Sequence, residues 1–422
     1  MPNHEERYDN PLFESEEAPA AEKRRLLGSA ELPLEDCLAV LESGASTAEK
    51  REAAASIGRK RDPSLKPILM QYSAHANPEV ALQAVRGLLV FRSDPSVVEF
   101  LNSLRNHPND MIQDIAEQEL EGNAPVEEGP HAASPDFMKN AAVQGDVLQT
   151  LEHVPSASVH LTFTSPPYYN ARDYAIYGSY GEYLNFLEEA FRAVHRVTKE
   201  GRFFILNTSP VIIPRAGRKY SSRRYAVPFD LHARLTPMGW EFIDDIVWAK
   251  PDKSVKNRVA GFETNRTPLT YKANARTEYV MVYRKKSRRL IDWNLRQYSK
   301  DAARRSKVDD DFERSNVWEI APASDRVHSA VFPLKLCMQA VKLYSFRGDL
   351  AFDPFGGSGT LGKAALLLGR YFFMTELHPQ YIARMRQNVR NEETLSDRPA
   401  RFMDVSQFAA EAKQWELSCA EK

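Results

Sequence analysis

One apolar run in this 422-residue chain stops abruptly at two consecutive prolines, and that junction constrains the fold more than any other feature. The run Val159–Thr164 is rich in β-branched and aromatic residues, which predicts a buried strand. Pro166 and Pro167 come directly after Ser165, so the strand has to end there. Open α/β sheets bind ligands at the carboxyl ends of their strands. We therefore expect Ser165–Tyr168 to lie at a binding site.

The chemistry of this loop suits a nucleobase. Two prolines fix φ and remove two backbone donors, which leaves the Pro166 carbonyl rigid and free to accept a hydrogen bond. The Ser165 hydroxyl is a second acceptor and the Tyr168 ring is a stacking surface. Together they suit an exocyclic amine and the π-face of a base. The alternative interpretation is a Pro-rich loop that merely ends a core strand.

A second strand-and-turn junction lies almost two hundred residues downstream. Strand Leu350–Asp353 runs into a Gly-rich turn at 354–359, where glycines let backbone N–H groups approach a ligand at the start of a helix. The next strand, Tyr371–Thr375, ends at Glu376, a position from which a carboxylate accepts hydrogen bonds from a ribose diol. A tight βα turn without a ligand is the alternative, and the spacing to Glu376 argues against it.

In this order the two motifs resemble the amino-methyltransferases of DNA that use S-adenosylmethionine, in the β arrangement, where the catalytic motif precedes the cofactor motif. The resemblance extends from about Ala141 to Asn391 and includes further short motifs in the order of the family. These are Gly145-Asp146, Trp248-Ala249-Lys250-Pro251, Glu278-Tyr279-Val280 and Phe332-Pro333-Leu334-Lys335-Leu336.

The resemblance implies S-adenosylmethionine as the cofactor and double-stranded DNA as the substrate. The implied catalytic residues are Ser165, Pro166, Pro167 and Tyr168. The implied cofactor-binding residues are Asp146, Phe332, Asp353, Phe355, Gly356, Gly357, Gly359, Thr360 and Glu376. Glu376 would hold the ribose hydroxyls and Asp146 would face the adenine amine. Ser165 in place of an Asp favours cytosine N4 as the target, and adenine N6 or an RNA base remain the alternatives.

The expected reaction is an in-line displacement at a sulfonium methyl group, so most of the catalysis consists of positioning the amine. Hydrogen bonds from the amine to Ser165 Oγ and to the Pro166 carbonyl would stabilise the positive charge that develops. Methylation at cytosine C5 is excluded because it requires a positioned reactive thiolate. Cys37, Cys337 and Cys419 do not follow a strand-ending turn, and the first two are predicted to be buried. No metal site is predicted.

DNA binding is predicted from the distribution of charge, since the formal net charge is only -1. Between Lys250 and Arg276 seven basic residues stand against two acidic ones, interleaved with aromatic residues and Asn. Such a mixture suits contacts with phosphates and base edges, and a solvated loop is the alternative. Further basic clusters occur at Arg215–Arg224 and Arg284–Arg289. The candidate DNA-binding residues are Tyr169, Arg223, Arg224, Lys253, Lys256, Asn257, Arg258, Asn265 and Arg266.

Residues 29–122 have helical periodicity and an internal echo. Asp62-Pro63-Ser64 recurs as Asp94-Pro95-Ser96, and Asn77-Pro78 recurs as His107-Pro108. A period near thirty residues with Pro at helix starts predicts a short stack of HEAT-like helix pairs. The stack would bind a protein partner or cap the catalytic domain. A scaffold with an inactive methyltransferase half is the most distant alternative.

From Ala141 onward strand and helix patterns alternate, which indicates an α/β fold with a mostly parallel sheet. The resemblance implies a seven-stranded, Rossmann-like methyltransferase sheet in permuted order with one antiparallel strand, preceded by the all-α HEAT-like domain. The predicted strands are 142–144, 159–164, 202–207, 242–248, 279–284, 350–353 and 371–375. The predicted helices are 182–198, 228–236, 333–344, 359–368 and 379–390.

The predicted domain limits follow from these patterns. They are a disordered N-terminus at 1–28, the helical domain at 29–122, a linker at 123–135, the catalytic domain at 136–395 with target-recognition insertions near 208–226 and 250–325, and a C-terminal tail at 396–422. Three unpaired cysteines, with no signal peptide and no long apolar stretch, predict a location in the prokaryotic cytoplasm or nucleoid.

Overall fold

The computed structural model describes residues 18–122, 131–169, 177–213, 217, 219–220, 222–323, 331–390, 392 and 395–421. The chain divides into two compact units at residue 128, within the predicted linker. Most of that linker, at 123–130, lies outside the described residues, as do residues 1–17 of the predicted disordered segment. Ala18–Leu26 of the same segment forms a helix, because its Ala, Lys and Arg residues have high helix propensity.

The N-terminal unit is helical, as predicted. Its helices are α1 (Ala18–Leu26), α2 (Leu34–Glu42), α3 (Thr47–Arg59), α4 (Lys66–Tyr72), α5 (Pro78–Leu88), α6 (Pro95–Ser103) and α7 (Asp110–Gly122). Helices α3 and α5 approach closely at a pair of glycines. A Cβ atom added to Gly58 would lie 2.7 Å from the Cα of Gly87, so both positions need the smallest residue for the helices to touch. Val85 and Leu88 are fully buried on the apolar face that the periodicity predicts.

The sequence echo in this unit corresponds to repeated helix caps. Asp62 and Asp94 each accept a 2.9 Å hydrogen bond from the amide of the second residue that follows. His75 and His107 precede α5 and α7 and accept through Nδ1 from the amides of Asn77 and Asn109, at 2.9 and 3.0 Å, and Asn77 in turn caps α5. The second echo therefore aligns His75 with His107, and the predicted alignment of Asn77 with His107 was wrong. The reason is that the capping residue repeats, while the position of the proline shifts.

The C-terminal unit is built on a large sheet. The strands are β1 (Ala141–Gln144), β2 (Val159–Thr164), β3 (Thr198–Thr208), β4 (Val211–Ile213), β5 (Arg223–Tyr225), β6 (Trp240–Ala249), β7 (Thr277–Lys285), β8 (Val317–Glu319), β9 (Leu350–Asp353), β10 (Tyr371–Glu376) and β11 (Arg401–Asp404). Within the described residues, nine of these strands form one sheet in the order β11-β1-β10-β9-β2-β3-β7-β6-β8. Strand β7 is antiparallel to both neighbours, and the other adjacent pairs are parallel. Strands β4 and β5 form a separate antiparallel hairpin.

The predicted fold class is confirmed, with an extension at each edge of the sheet. All seven predicted strands form and lie side by side, from β1 to β6 in the spatial order, with β7 as the antiparallel strand. The sheet has nine strands because β8 and β11 add one short strand at each edge. These strands are only three and four residues long and are partly exposed, so their sequences carry little apolar signal.

Helices cover both faces of the sheet. They are α8 (Val147–Glu152), α9 (Tyr180–Val197), α10 (Val227–Leu235), α11 (Ala260–Asn265), α12 (Ile291–Arg296), α13 (Lys300–Arg305), α14 (Leu334–Tyr344), α15 (Thr360–Leu367), α16 (Pro379–Arg390) and α17 (Val405–Ala420). One apolar core contains α8, α9, α10 and α17, and the other contains α14, α15 and α16. Leu187 and Phe191 on one side of α9 are fully buried in the first core.

The segment 396–422, predicted to be a tail, is part of this unit. It adds β11 to the edge of the sheet beside β1, and α17 buries Phe408 completely. The prediction was wrong because the apolar residues here are widely spaced among polar ones. Only packing against Phe137 and Phe373, at ring-centroid distances of 5.2 and 5.3 Å, makes Phe408 a core residue.

The predicted insertion at 250–325 is divided between the two opposite ends of the strands. Because β7 runs antiparallel, residues 250–276 lie at the carboxyl end of β6, whereas residues 286–316 follow β7 at the opposite edge. There Tyr298 donates a 2.6 Å hydrogen bond to Asp349, just before β9 begins. Arg284 donates to the Gly201 carbonyl at the same edge. The basic cluster at Arg284–Arg289, which was predicted to add to the DNA-binding surface, therefore begins near the amino end of β2, away from Ser165.

Candidate active site

The two sequence motifs leave the sheet side by side. Strands β2 and β9 are parallel neighbours, with Thr162 opposite Phe352, so their carboxyl ends lie side by side. At this end Thr164 Oγ1 donates a 2.6 Å hydrogen bond to Asp353 Oδ1, and both residues are fully buried. The loop after β2 and the turn after β9 are thereby held next to each other.

Both segments line one open cavity, which measures about 930 Å³ with its solvent-filled mouth included. The target loop contributes Ser165, Pro166, Pro167 and Tyr168. The glycine turn and the end of β10 contribute Pro354, Phe355, Gly356, Gly357, Ser358, Thr360 and Glu376. The remaining walls come from Gly145, Asp146, Val147, Tyr177, Phe186, Val331, Phe332, Leu377, His378 and Tyr381. Residues from segments almost two hundred positions apart thus share a continuous surface.

The cofactor side of the cavity is shaped mainly by backbone. The Gly356 amide donates to the Thr375 carbonyl at 2.8 Å, which fixes the turn against the end of β10. The Glu376 carboxylate accepts from the amides of Gly357 and His378 at 2.9 and 2.8 Å. Burial raises the pKa of Glu376, while these two amides oppose that shift. The carboxylate is therefore anchored at the cavity wall in a fixed orientation.

Two of the predicted cofactor residues lie behind the cavity wall. Asp353 is fully buried, and burial raises its pKa to about 7 against the opposing hydrogen bonds from Thr164 and the Phe355 amide. Gly359 has a φ of +84°, and an added Cβ atom would lie 2.4 Å from Met385 Cγ. Gly359 therefore permits the close approach of α15 to α16, a role that its place in the glycine turn does not reveal.

Asp146 and Phe332 complete the cavity from two other directions. Asp146 begins α8, and its Oδ1 accepts from the amides of Leu148 and Gln149 at 2.9 and 3.2 Å. Phe332 precedes α14 and packs edge-to-face on Phe163, with ring centroids 5.0 Å apart. Both residues line the same cavity as Glu376.

The lining of the cavity fits S-adenosylmethionine. An anchored carboxylate at the end of β10 suits a ribose diol, and the aromatic side chains of Phe332, Phe355 and Tyr381 suit a purine and an aliphatic chain. Asp353 Oδ2 is a buried carboxyl oxygen near this turn that has no hydrogen-bond partner among the residues the structure describes. Acidic and apolar groups in this combination are chemically compatible with a positively charged nucleoside.

The target side of the cavity is built from side chains of several strands. The Tyr168 hydroxyl donates to Glu278 Oε2 at 3.0 Å, and burial together with the Glu278 charge raises the pKa of Tyr168 far above its ordinary value. Tyr168 is therefore a neutral phenol at every working pH. Asn207, at the end of β3, donates to Ser165 Oγ at 3.3 Å and to Glu278 Oε2 at 2.9 Å.

The sequence motifs did not identify Asn207, Lys250 or Glu278 as site residues. Lys250 Nζ forms an ion pair with Glu278 Oε1, and it lies 4.6 Å from the centroid of the Trp248 ring. Lys250 and Glu278 stand in short motifs that the family resemblance covers, which was the available signal. Their contact with Tyr168 depends on the pairing of β6 with β7 and could not be read from either motif.

Tyr169 is a correction to the predicted DNA-binding set. It is 8% exposed and packs against Tyr180 and Tyr225, with ring centroids 5.2 and 5.0 Å apart. Its ring therefore anchors the β4–β5 hairpin to α9 and is not available to a base. The mistake arose because adjacent aromatic residues in a loop point to different sides, which the sequence does not specify.

The other predicted DNA-binding residues lie on or near the surface. Arg223 and Arg224 are exposed on β5, and Lys253, Lys256, Asn257, Asn265 and Arg266 are exposed between β6 and β7. Arg258 is half-buried, with its guanidinium 3.3 Å from the Ala273 carbonyl and its amide 2.7 Å from Asn274 Oδ1. Asn257 accepts from the Val259 amide at 3.0 Å, so part of its side chain shapes the loop itself.

Cys37 and Cys337 are fully buried and Cys419 is exposed, as the sequence predicted for the first two. Burial raises the pKa of the Cys337 thiol well above its ordinary value. In the described part of the chain, no cluster of His, Cys, Asp and Glu could hold a metal ion. Among the same residues, no helix is long and apolar enough to cross a membrane.

Comparisons with known proteins agree with this geometry. Residues 159–387 match the N6/N4 methyltransferase family model, described as DNA methylase, and residues 34–121 match the model for HEAT repeats. The chain is 28% identical over 298 residues to the Type II methyltransferase M.Cfr9I of Citrobacter freundii, covering 63% of this chain and 92% of that protein. It is 27% identical over 256 residues to the orphan methyltransferase M.BamHII of Bacillus amyloliquefaciens, covering 57% and 92%.

A solved structure of a DNA modification methylase from Thermus thermophilus, in complex with S-adenosylmethionine, has the same fold. Its TM-score is 0.50 at 24% identity, over 63% of this chain and 97% of that one. The family match covers more than half of the chain. The protein therefore belongs to the N6/N4 DNA methylase family and is a site-specific DNA methyltransferase that uses S-adenosylmethionine. The HEAT-like character of the N-terminal helices is also confirmed.

Proposed function

We propose that the protein methylates the exocyclic N4 amine of cytosine, on a base that is flipped out of double-stranded DNA. The observation that carries this proposal is the shared cavity, where Ser165, Pro166 and Tyr168 face the glycine turn and Glu376. A serine at the head of the target loop is the version that cytosine-N4 enzymes of this family favour. Extrusion of a base costs a few kcal/mol, and stacking on Tyr168 offsets part of that cost.

The target loop polarises and orients the amine. One N–H of the base donates to Ser165 Oγ and the other to the Pro166 carbonyl, which turns the nitrogen lone pair toward the methyl donor. Bound S-adenosylmethionine supplies an electrophilic methyl carbon on a sulfonium. Transfer of this methyl group to the nitrogen would leave the sulfur as a neutral thioether, and the surplus proton of the methylated amine would pass to water. Acceptors that stabilise the developing positive charge suffice, so Tyr168 does not have to serve as a base.

The cofactor is held by the other wall of the cavity. In this proposal Glu376 binds the ribose hydroxyls, Asp146 faces the adenine amine, and Phe355, Gly356, Gly357 and Thr360 surround the methionine portion. Phe332 closes the cavity from the side of α14. Asp353 and Gly359 support the same turn from behind, through the contacts with Thr164 and Met385.

We propose that DNA lies along the exposed basic surface beside the target loop. Lys253, Lys256 and Arg266 would contact phosphates, and Asn257 and Asn265 would contact base edges. Arg223 and Arg224 on the β4–β5 hairpin extend this surface. A protein partner for the helical unit remains a prediction, and the relatives suggest work in a prokaryotic cytoplasm, on the cell's own DNA.

Product analysis tests the choice of base. Purified protein is incubated with duplex DNA and labelled S-adenosylmethionine, and the digested nucleosides are then identified by mass. We expect N4-methylcytosine, and Tyr168→Ala prepared in parallel controls for a contaminating enzyme. N6-methyladenine as the only product would overturn the choice of cytosine. A preference for transcripts over duplex DNA would overturn the choice of DNA, and absence of cofactor binding in calorimetry would favour an inactive scaffold.

A further inference from the structure

Side chains from three neighbouring strands meet directly behind the target loop. Glu278 on β7 accepts hydrogen bonds from the Tyr168 hydroxyl at 3.0 Å and from Asn207 Nδ2 at 2.9 Å, both on Oε2. Its other oxygen forms the ion pair with Lys250, which follows β6. Asn207 is 1% exposed and Glu278 is 8% exposed, so these two side chains are almost fully removed from water, whereas Lys250 and Tyr168 are half-buried.

A buried carboxylate in this place needs its partners. An unpaired charge in the protein interior is strongly unfavourable, and Lys250 together with the two donors compensates it. The same bonds fix the partners in turn. Because the Asn207 amide donates to Glu278, its nitrogen faces Ser165 Oγ, and its Oδ1 is left as a buried acceptor without a partner among the described residues. Tyr168 directly, and Ser165 through Asn207, are thus tied to one carboxylate, and further hydrogen bonds of the Tyr168 hydroxyl involve Ser209 and Ser165.

We infer that Glu278 is a positioning residue for methyl transfer, which orients Tyr168 directly and Ser165 through Asn207. This inference rests on the proposed function of Ser165 and Tyr168. Glu278 does not line the cavity, so it acts through the two residues that do. Lys250 pairs with its other carboxylate oxygen and, with Asn207, completes the positioning cluster of Asn207, Lys250 and Glu278.

A purely structural role for this ion pair would give a different pattern of effects. A residue that only stabilises the fold lowers the free energy of unfolding when it is replaced, and leaves the methyl-transfer step of the folded protein unchanged. Replacement of a positioning residue lowers the rate of that step while the affinity for the cofactor stays constant. The removal of one hydroxyl, in Tyr168→Phe, keeps the aromatic ring and tests the bond to Glu278 with almost no change in volume.

The experiment measures single-turnover methyl transfer to duplex DNA, S-adenosylmethionine affinity by calorimetry, and the free energy of unfolding. In Tyr168→Phe the loss of one hydrogen bond to a charged group should lower the methyl-transfer rate about 10-fold. In Glu278→Ala, Tyr168, Asn207 and Lys250 all lose their contact with the carboxylate, which should lower this rate about 100-fold. Both changes break the hydrogen bond between Tyr168 and Glu278. The double variant Tyr168→Phe with Glu278→Ala should therefore be no slower than Glu278→Ala alone. Glu278→Gln keeps an acceptor for Tyr168 and Asn207, and it should recover about 10-fold of the loss.

Glu241→Ala is the matched control, because Glu241 also lies in this sheet and pairs with Arg284 at 3.8 Å, at the opposite edge. It should transfer methyl groups at the wild-type rate. A wild-type rate in Tyr168→Phe, or effects of Tyr168→Phe and Glu278→Ala that multiply, would overturn the inference while the proposed function stands. A wild-type protein that methylates no nucleic acid would overturn the proposed function, and the inference with it.

Discussion

The two walls of the cavity are built in different ways. The centre of the cofactor wall is a contiguous turn, 354–360, whose backbone is fixed against the neighbouring strand end through the Gly356 amide and Glu376. The target wall presents only Ser165–Tyr168, and its geometry depends on side chains from β3, β6 and β7. The centre of the cofactor wall is therefore specified by one short stretch of sequence, whereas the geometry of the target wall depends on strand pairing.

This difference has a consequence for how each wall tolerates substitution. A backbone-built wall is sensitive where a Cβ atom has no room, because nothing except a glycine fits there. A wall assembled from side chains is sensitive where a hydrogen-bond partner is removed, because the remaining groups are left buried and unsatisfied. The following predictions test whether the two walls differ in this way.

The largest expected effect concerns the glycine that supports the cofactor wall. Gly359 and Gly348 have the same φ of +84°, but an added Cβ atom would lie 2.4 Å from Met385 Cγ at Gly359 and would meet nothing within 4 Å at Gly348. We expect Gly359→Ala to lower the free energy of unfolding by about 4 kcal/mol, and Gly348→Ala by about 1 kcal/mol. Urea denaturation measures both. Equal losses would mean that backbone strain alone, and not crowding by α16, makes this wall sensitive.

The second prediction concerns Asp353, which joins the two walls through Thr164. Its pKa is raised from 3.8 to about 7, so the folded state keeps a proton that the unfolded state releases. The stability contributed by this group is therefore fully present at low pH and is lost as the pH rises toward 7. Between pH 5 and 7 the free energy of unfolding of the wild type should fall by roughly 2 kcal/mol relative to Asp353→Asn. Parallel urea titrations of both proteins at these pH values measure the difference.

A pH-independent difference between the wild type and Asp353→Asn would contradict this prediction. The asparagine keeps an acceptor for Thr164 Oγ1 and for the Phe355 amide, so the exchange isolates the titration of the carboxyl from the loss of its hydrogen bonds.

The third prediction separates the roles of the two walls. Tyr168→Ala should lower turnover about 100-fold, roughly 2.7 kcal/mol, because the stacking surface for the base is lost. Its affinity for S-adenosylmethionine should stay within about twofold of the wild type. Glu376→Ala should do the reverse, with a cofactor affinity about 10-fold weaker and a turnover near the wild-type value at saturating cofactor. Calorimetry and steady-state kinetics measure the two quantities. Equal loss of cofactor affinity in both variants would contradict this division.

The smallest expected effects concern the loop between β6 and β7. Lys253→Ala and Lys256→Ala should each weaken DNA binding about threefold and reduce the slope of log affinity against log salt by about 0.9. Lys307→Ala is the matched control, because Lys307 is also a surface lysine but belongs to the segment at the opposite edge of the sheet. Fluorescence anisotropy at several salt concentrations measures the slope. Equal slopes for Lys256→Ala and Lys307→Ala would remove the argument for this DNA surface.

The amino-acid sequence predicted the elements that depend on local patterns. Two strands that end at Thr164 and Asp353, together with Glu376 at a third strand end, could be predicted because a strand end, a proline pair and a glycine turn are each set by neighbouring residues. The seven predicted strands all form. A continuous apolar run predicts a buried strand whichever strand it pairs with. The helical repeat was visible for the same reason, because its capping residues act within one turn.

Only the tertiary structure decided which distant residues meet. Asn207 and Glu278 reach Ser165 and Tyr168 because β7 runs antiparallel between β3 and β6, and the same reversal carries Tyr298 to the far edge. Tyr169 turned inward, and Phe408 became a core residue, through packing against rings from other elements. The physical reason is that the direction of a side chain and the pairing of strands are set by contacts between distant parts of the chain, which no local pattern records.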